Sequence, residues 1–137
     1  MQTLNYWPVL VASVVSFGIG SLWYSPLLFG HIWIDLLKVS DADMSRIMDS
    51  GIWKRYIAQL IMTFVTFCVL GFALNVTAIA SAADGAFLGL LAWLGFSLPV
   101  SLAGFLWKNE SPKLVLIDSV YYLIALAIGG AILGAWR

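Results

Sequence analysis

The side chain with the widest chemical reach in this 137-residue sequence is Asp118, the one charged residue between Lys113 and Arg137. Tyr121 and Tyr122 follow it at the three- and four-residue offsets that share a helix face. A carboxylate in such apolar company could exchange protons, or pair with a substrate amine or a cation. The plainer reading is that it accepts a hydrogen bond from a tyrosine, or reaches interfacial water, and only fixes helix packing.

Other polar groups fall at a similar depth once the apolar stretches are drawn as helices. Tyr24, Ser25, Gln59, Ser101 and Asp118 each lie about one to two turns inside one boundary, so that four segments contribute to a single polar layer. His31 would form half of a relay or metal site with Asp118, but one histidine and one carboxylate are too few ligands for zinc. Cys68 is the only cysteine, which excludes an intrachain disulfide or a thiolate cage, and it reads as a buried thiol. No phosphate loop, Ser-His-Asp set, paired metal-binding histidines or redox dithiol is present. No cofactor and no metal centre are expected.

Composition identifies the medium that must position these groups. Hydrophobic residues make up 62% of the chain and charged residues 10%, an apolar load that a water-soluble fold of this size cannot hide. The formal net charge is zero, with neither a basic tract nor an acidic tail, so a nucleic-acid partner is not expected. The partner these numbers demand is a lipid bilayer. The first apolar stretch lacks a basic leader and outruns a signal-peptide core, and is expected to remain in the mature protein.

Crossing a bilayer takes roughly 20 mainly apolar residues. Four stretches qualify, at about 7–30, 56–80, 86–107 and 114–136, and all must be helical because hydrocarbon cannot solvate free backbone groups. The fold class expected is therefore all-α, a single domain formed by a bundle of four transmembrane helices. Lys38, Arg46, Lys54, Arg55, Lys108 and Lys113 fall on one side and Arg137 on the other, which predicts both termini outside and the long first connector in the cytoplasm. Trp7, Trp33, Trp53, Tyr56, Trp107 and Trp136 sit near span ends, where amphipathic rings favour the headgroup zone. Within the connector, Ile32, Trp33, Leu36 and Leu37 recur at helical spacing. Met44, Ile47 and Met48 do so after a Ser40 cap with Asp43 three residues on, and Gly51 ends the pattern. Short amphipathic helices on the membrane face are expected there.

Small residues line several spans: Ala12, Ser16 and Gly20, then Gly85 and Gly89, and finally the GxxxG pair Gly130 and Gly134. Such ridges let backbones approach within lipid, either inside the chain or as a dimer face, and a homodimer is the preferred assembly. Pro26 and Pro99 each remove a backbone donor and loosen the helix before them, freeing carbonyls that could hold a ligand or simply kink the span.

The run Leu22-Trp23-Tyr24-Ser25-Pro26-Leu27-Leu28-Phe29-Gly30, followed by Trp33, resembles the signature of a bacterial membrane family catalogued as domain of unknown function 1761. Asp118, Tyr121, Tyr122, the Gly129-Gly130 pair and Trp136 are similar to that family's last span. The resemblance covers essentially the whole chain. It implies a four-helix inner-membrane protein and draws attention to Trp23, Tyr24, Ser25 and Pro26, but carries no activity with it.

Three functions compete. The leading one is a non-enzymatic homo-oligomer with an inner-leaflet cavity that binds or transports a small molecule or ion, lined by Trp23, Tyr24, Ser25, Gln59, Asp118 and Tyr122. The second is an accessory or scaffold subunit. The third is a membrane enzyme acting on a lipid or quinone, with Asp118 and His31 as acid and base.

Overall fold

In the computed structural model, residues 3–136 are described, and among them every regular element is helical. Four helical rods are long and apolar enough to cross a membrane. They are α1 (Tyr6–Trp23), α4 (Ile52–Val76), a third rod made of α5 (Ala82–Ala92) and α6 (Leu98–Lys108) joined by a π turn over Trp93–Ser97, and α7 (Pro112–Ala135). Two short helices, α2 (Gly30–Leu37) and α3 (Asp41–Asp49), form the connector.

Local signals account for most boundaries. Asn5 Oδ1 accepts the Trp7 N–H at 3.2 Å and starts α1. Ser40 and Ser81 act as reciprocal caps: each accepts from the backbone N–H three residues on and donates to that aspartate's carboxylate, at 2.8 Å for Asp43 and 2.6 Å for Asp84. Gly51 adopts φ 86°, the left-handed turn that separates α3 from α4.

The first rod is shorter than the sequence suggests, ending at Trp23 instead of near Gly30. Pro26 cannot continue a hydrogen-bonded turn, and the chain leaves the helix before reaching it. The Ser25 hydroxyl then donates to the Leu22 carbonyl at 2.7 Å, capping the broken end. At about 1.5 Å per residue, its 18 residues still approach the thickness of a hydrocarbon core. Pro99 acts differently, lying inside a rod that continues through it. The strain is absorbed just upstream in the π turn, where Leu98 N–H donates to the Trp93 carbonyl.

The rods alternate in direction; α4 and α7 each touch all the others, α7 the more extensively. One end of the bundle, the connector end, carries α2, α3 and the α6–α7 turn. The opposite, terminal end carries the start of α1, the α4–α5 turn and the end of α7. Near the terminal end Val9, Ala12, Phe67, Leu70, Leu74 and Leu133 form the dry core. Beside it α5 meets α7 backbone to backbone: a Cβ added to Gly85 would strike the Gly130 carbonyl oxygen, and one added to Gly130 would strike that of Gly85. Gly134 is pressed on Ser81 in the same way. The Gly130–Gly134 ridge is therefore occupied from within the chain, and a homodimer would need another face.

Candidate functional site

Asp118 lies six residues into α7, about 9 Å from the start of that helix at 1.5 Å per residue. Its half-buried carboxylate accepts a hydrogen bond from the Tyr24 hydroxyl, 2.6 Å from Oδ1. Tyr24 can reach it because α1 stops one residue earlier, which turns the ring off the helix axis toward α7. The residues on either side of Asp118 are held through their carbonyls. Trp23 Nε1 donates to Ile117 O at 3.1 Å, and Trp93 Nε1, at the start of the π turn, donates to Ser119 O at 2.8 Å. Two indoles from two different rods thus bracket the carboxylate and fix the turn of α7 that carries it.

Aromatic rings fill the space around the pair. The Tyr24 ring lies between Trp33, with centroids 4.9 Å apart, and Tyr121, at 5.5 Å, while Tyr121 and Tyr122 are 5.2 Å apart. Edge-on and tilted contacts of this kind stabilise by about 0.5–1.5 kcal/mol each beyond buried area. Tyr121 is buried and donates to Ser16 O at 3.2 Å, and the hydroxyl rests where a side chain on Gly20 would begin. Gly20 is thus a packing position that admits the Tyr121 ring. Gly30 is likewise compressed, since a Cβ there would fall on the backbone of Tyr24 and Ser25. That close turn brings α2 back across the end of α1 and sets Trp33 over Tyr24. The Trp33 indole N–H is buried without an aligned acceptor, yet lies close enough to the Asp118 carboxylate to interact with it.

The structure brings Trp23, Tyr24 and Asp118 together with Tyr121, keeps Ser25 in the adjoining turn with its hydroxyl on Leu22 O, and leaves other candidates apart. Gln59 is exposed and bonds within its own helix, Nε2 to Thr63 Oγ1 at 3.4 Å. Tyr122 sits at the edge of the cluster with 42% of its surface open. His31 is exposed on α2, and its side chain is not among the hydrogen-bond partners of Asp118. Among the described residues no three His, Cys, Asp or Glu side chains gather as a metal set. Two hollows lie at the terminal end, one of about 190 Å³ beside Asn5, Gly71 and Trp136, and neither reaches Asp118. The half-buried Asp118 is flanked by the aromatic rings of Tyr24, Trp33, Tyr121 and Tyr122.

Three contributors are not evident from sequence spacing alone. Trp33 follows Gly30 by one helical turn, a spacing that would have placed it on the side of α2 facing the broken end of α1. Trp93 lies far in sequence from Ser119, and only the π turn aims it there. The Glu110 carboxylate folds back over Gly104 and adds a second negative charge within electrostatic reach of Asp118.

Neither a curated protein nor a solved structure matches the chain. A family model described as a protein of unknown function, DUF1761, matches residues 7–134, a range that includes the WYSP turn, the connector and the whole Asp118 cluster. The chain therefore belongs to the DUF1761 family of proteins of unknown function.

Proposed function

We propose that this protein binds or passes a small ion or molecule through the membrane, with Asp118 as the charge carrier and Tyr24 as its gate-side partner. The observation that carries this reading is the 2.6 Å Tyr24–Asp118 hydrogen bond, made inside a transmembrane rod at the point where another rod is broken. An ionisable group is costly at such depth and is a functional pointer there. Lys38, Arg46, Lys54, Arg55, Lys108 and Lys113 all belong to the connector end, which supports placing that end in the cytoplasm of a plasma-membrane protein. Arg137, the opposing charge in that argument, lies outside the described residues.

The test is flux into liposomes. Protons are followed with a trapped pH dye, and sodium, potassium and methylammonium are offered in turn across pH 5 to 8. Asp118→Asn is expected to lower the flux of whichever species is carried by about ten- to a hundredfold, the equivalent of one charge-assisted hydrogen bond. Unchanged flux of every carried species would remove Asp118 from the function.

A second reading is an accessory subunit, and one observation favours it. The third rod leaves Phe96, Val100, Leu106 and Trp107 between 70% and 87% exposed, a broad apolar face that a membrane partner, or a second copy of this chain, would cover as well as lipid does. Gentle detergent extraction followed by mass analysis separates the two, since a stoichiometric foreign subunit supports the accessory role.

A further inference from the structure

The hydrogen-bonding capacities around Asp118 distinguish one ion from all others. Of the polar groups near its carboxylate, most are already committed: the Trp23 and Trp93 indoles to carbonyls of α7, and the Tyr121 hydroxyl to Ser16 O. Two remain. Tyr24 Oη, 2.6 Å away, can donate or accept, whereas the Trp33 indole can only donate and has no aligned acceptor of its own. The groups that face Asp118 are thus Tyr24 from the end of α1, Trp33 from α2, Tyr122 on α7 and Glu110 from the α6–α7 turn, none of them a cation. The one ion pair among the described residues joins Arg46 to Asp43, far along the exposed connector.

Resting on the reading of Asp118 as the charge carrier, we propose that it is a proton-binding station, served in both of its protonation states by the Tyr24 hydroxyl, whose hydrogen alone turns, and by Trp33, whose ring needs only a small turn to align its free N–H on the carboxylate. In the carboxylate, Tyr24 donates to Oδ1 and the Trp33 indole donates to the carboxylate as well. When a hydronium ion arrives from the interface, a lone pair of Oδ1 takes its proton, an O–H bond forms and water leaves. The Tyr24 hydrogen then turns about its C–O bond, and Oη accepts from the new carboxylic acid while Trp33 continues to donate. Release of the proton reverses each step. A metal cation or an amine would find one site on Oδ1 taken by Tyr24 Oη, which the Trp33 and Tyr121 rings hold from both sides, and, among the described residues, no second carboxylate or carbonyl ligand bonded beside it, whereas a proton needs only one oxygen.

Infrared difference spectroscopy of the full chain in lipid nanodiscs, taken between pH 5 and 8, reads this directly. An aspartate in water titrates near 4, below that window. A carboxylic C=O band that grows on acidification is expected. It should move to lower frequency when the unmodified chain is labelled with carboxyl-¹³C aspartate, which needs no variant to fold. It should vanish in Asp118→Asn, and shift to higher frequency in Tyr24→Phe and in Trp33→Phe as each removes one hydrogen bond. Absence of an aspartate band in the window overturns the proposal, and so does a band indifferent to both Tyr24→Phe and Trp33→Phe. Ion flux that depends on Asp118 without any titrating band leaves the carrier role standing and removes the proton. A titrating band with no flux of any species keeps the proton station and removes transport.

Discussion

Toward the terminal end, α7 meets its neighbours through surfaces almost devoid of polar side chains: Gly85 against Gly130, Gly134 against Ser81, and Phe67 driven into the space over Gly129. Toward the connector end the same helix is held by side-chain hydrogen bonds from Trp23, Tyr24, Trp93 and Tyr121. Lipid is as apolar as leucine, so burial of hydrocarbon gives neither half a driving force. The terminal half depends on dispersion between closely approached backbones, and the connector half on polar contacts of about 0.6 to 2 kcal/mol each. Close-packed backbone has no second arrangement of similar energy. A ring of hydrogen bonds does, because a hydroxyl or an indole can exchange partners. The rigid half therefore acts as the clamp and the polar half as the part able to respond to a ligand.

Breaking the clamp should have the largest effect on stability. In Gly130→Leu the side chain would have to occupy the position of the Gly85 carbonyl, and the backbone there cannot yield without separating α5 from α7. A loss of about 3 kcal/mol or more is expected, at the upper end for overpacking, read from unfolding in mixed micelles of rising SDS fraction. A loss below about 1 kcal/mol would mean that the two rods are not held by the glycine contact.

Removing one member of the polar half should cost less. Trp93→Phe keeps an aromatic ring and deletes the 2.8 Å bond to Ser119 O, so about 1 kcal/mol is expected in the same titration. The more informative readout is the Asp118 environment. Since Trp93 fixes the turn that presents the carboxylate, its loss should broaden the Asp118 infrared band, whereas Gly18→Ala, where a Cβ meets nothing within 4 Å, should leave that band where it was.

Much of this contrast is legible in residue types, and part is not. The four rods and the two connector helices follow from long apolar runs, and from the Ser40–Asp43 and Ser81–Asp84 caps that delimit some of them, all local in sequence. Asp118 and Tyr24 are legible as members of one polar layer because depth along a rod follows from counting residues. What counting does not supply is azimuth. Gln59 shares the depth of Asp118 but turns outward, while Trp33 and Trp93 turn inward for reasons set by the Gly30 turn and the π turn, neither of which has a periodic signature. The GxxxG pair marks a close contact without naming its partner, and in this chain the partner is α5.

The smallest expected effect falls at the boundary between the halves. Gly95 lies in the π turn, and a Cβ placed on it meets nothing within 4 Å, so its small size serves no packing contact. Gly95→Ala should therefore be neutral or stabilise by up to about 1 kcal/mol through reduced backbone freedom in the unpacked state. A stabilised rod combined with slower flux through the Asp118 site would show that the third rod flexes at this turn during function, linking the fixed glycine clamp on one side to the polar cluster on the other. Equal stability and equal flux would confine the π turn to a static task, aiming Trp93 at the Ser119 carbonyl.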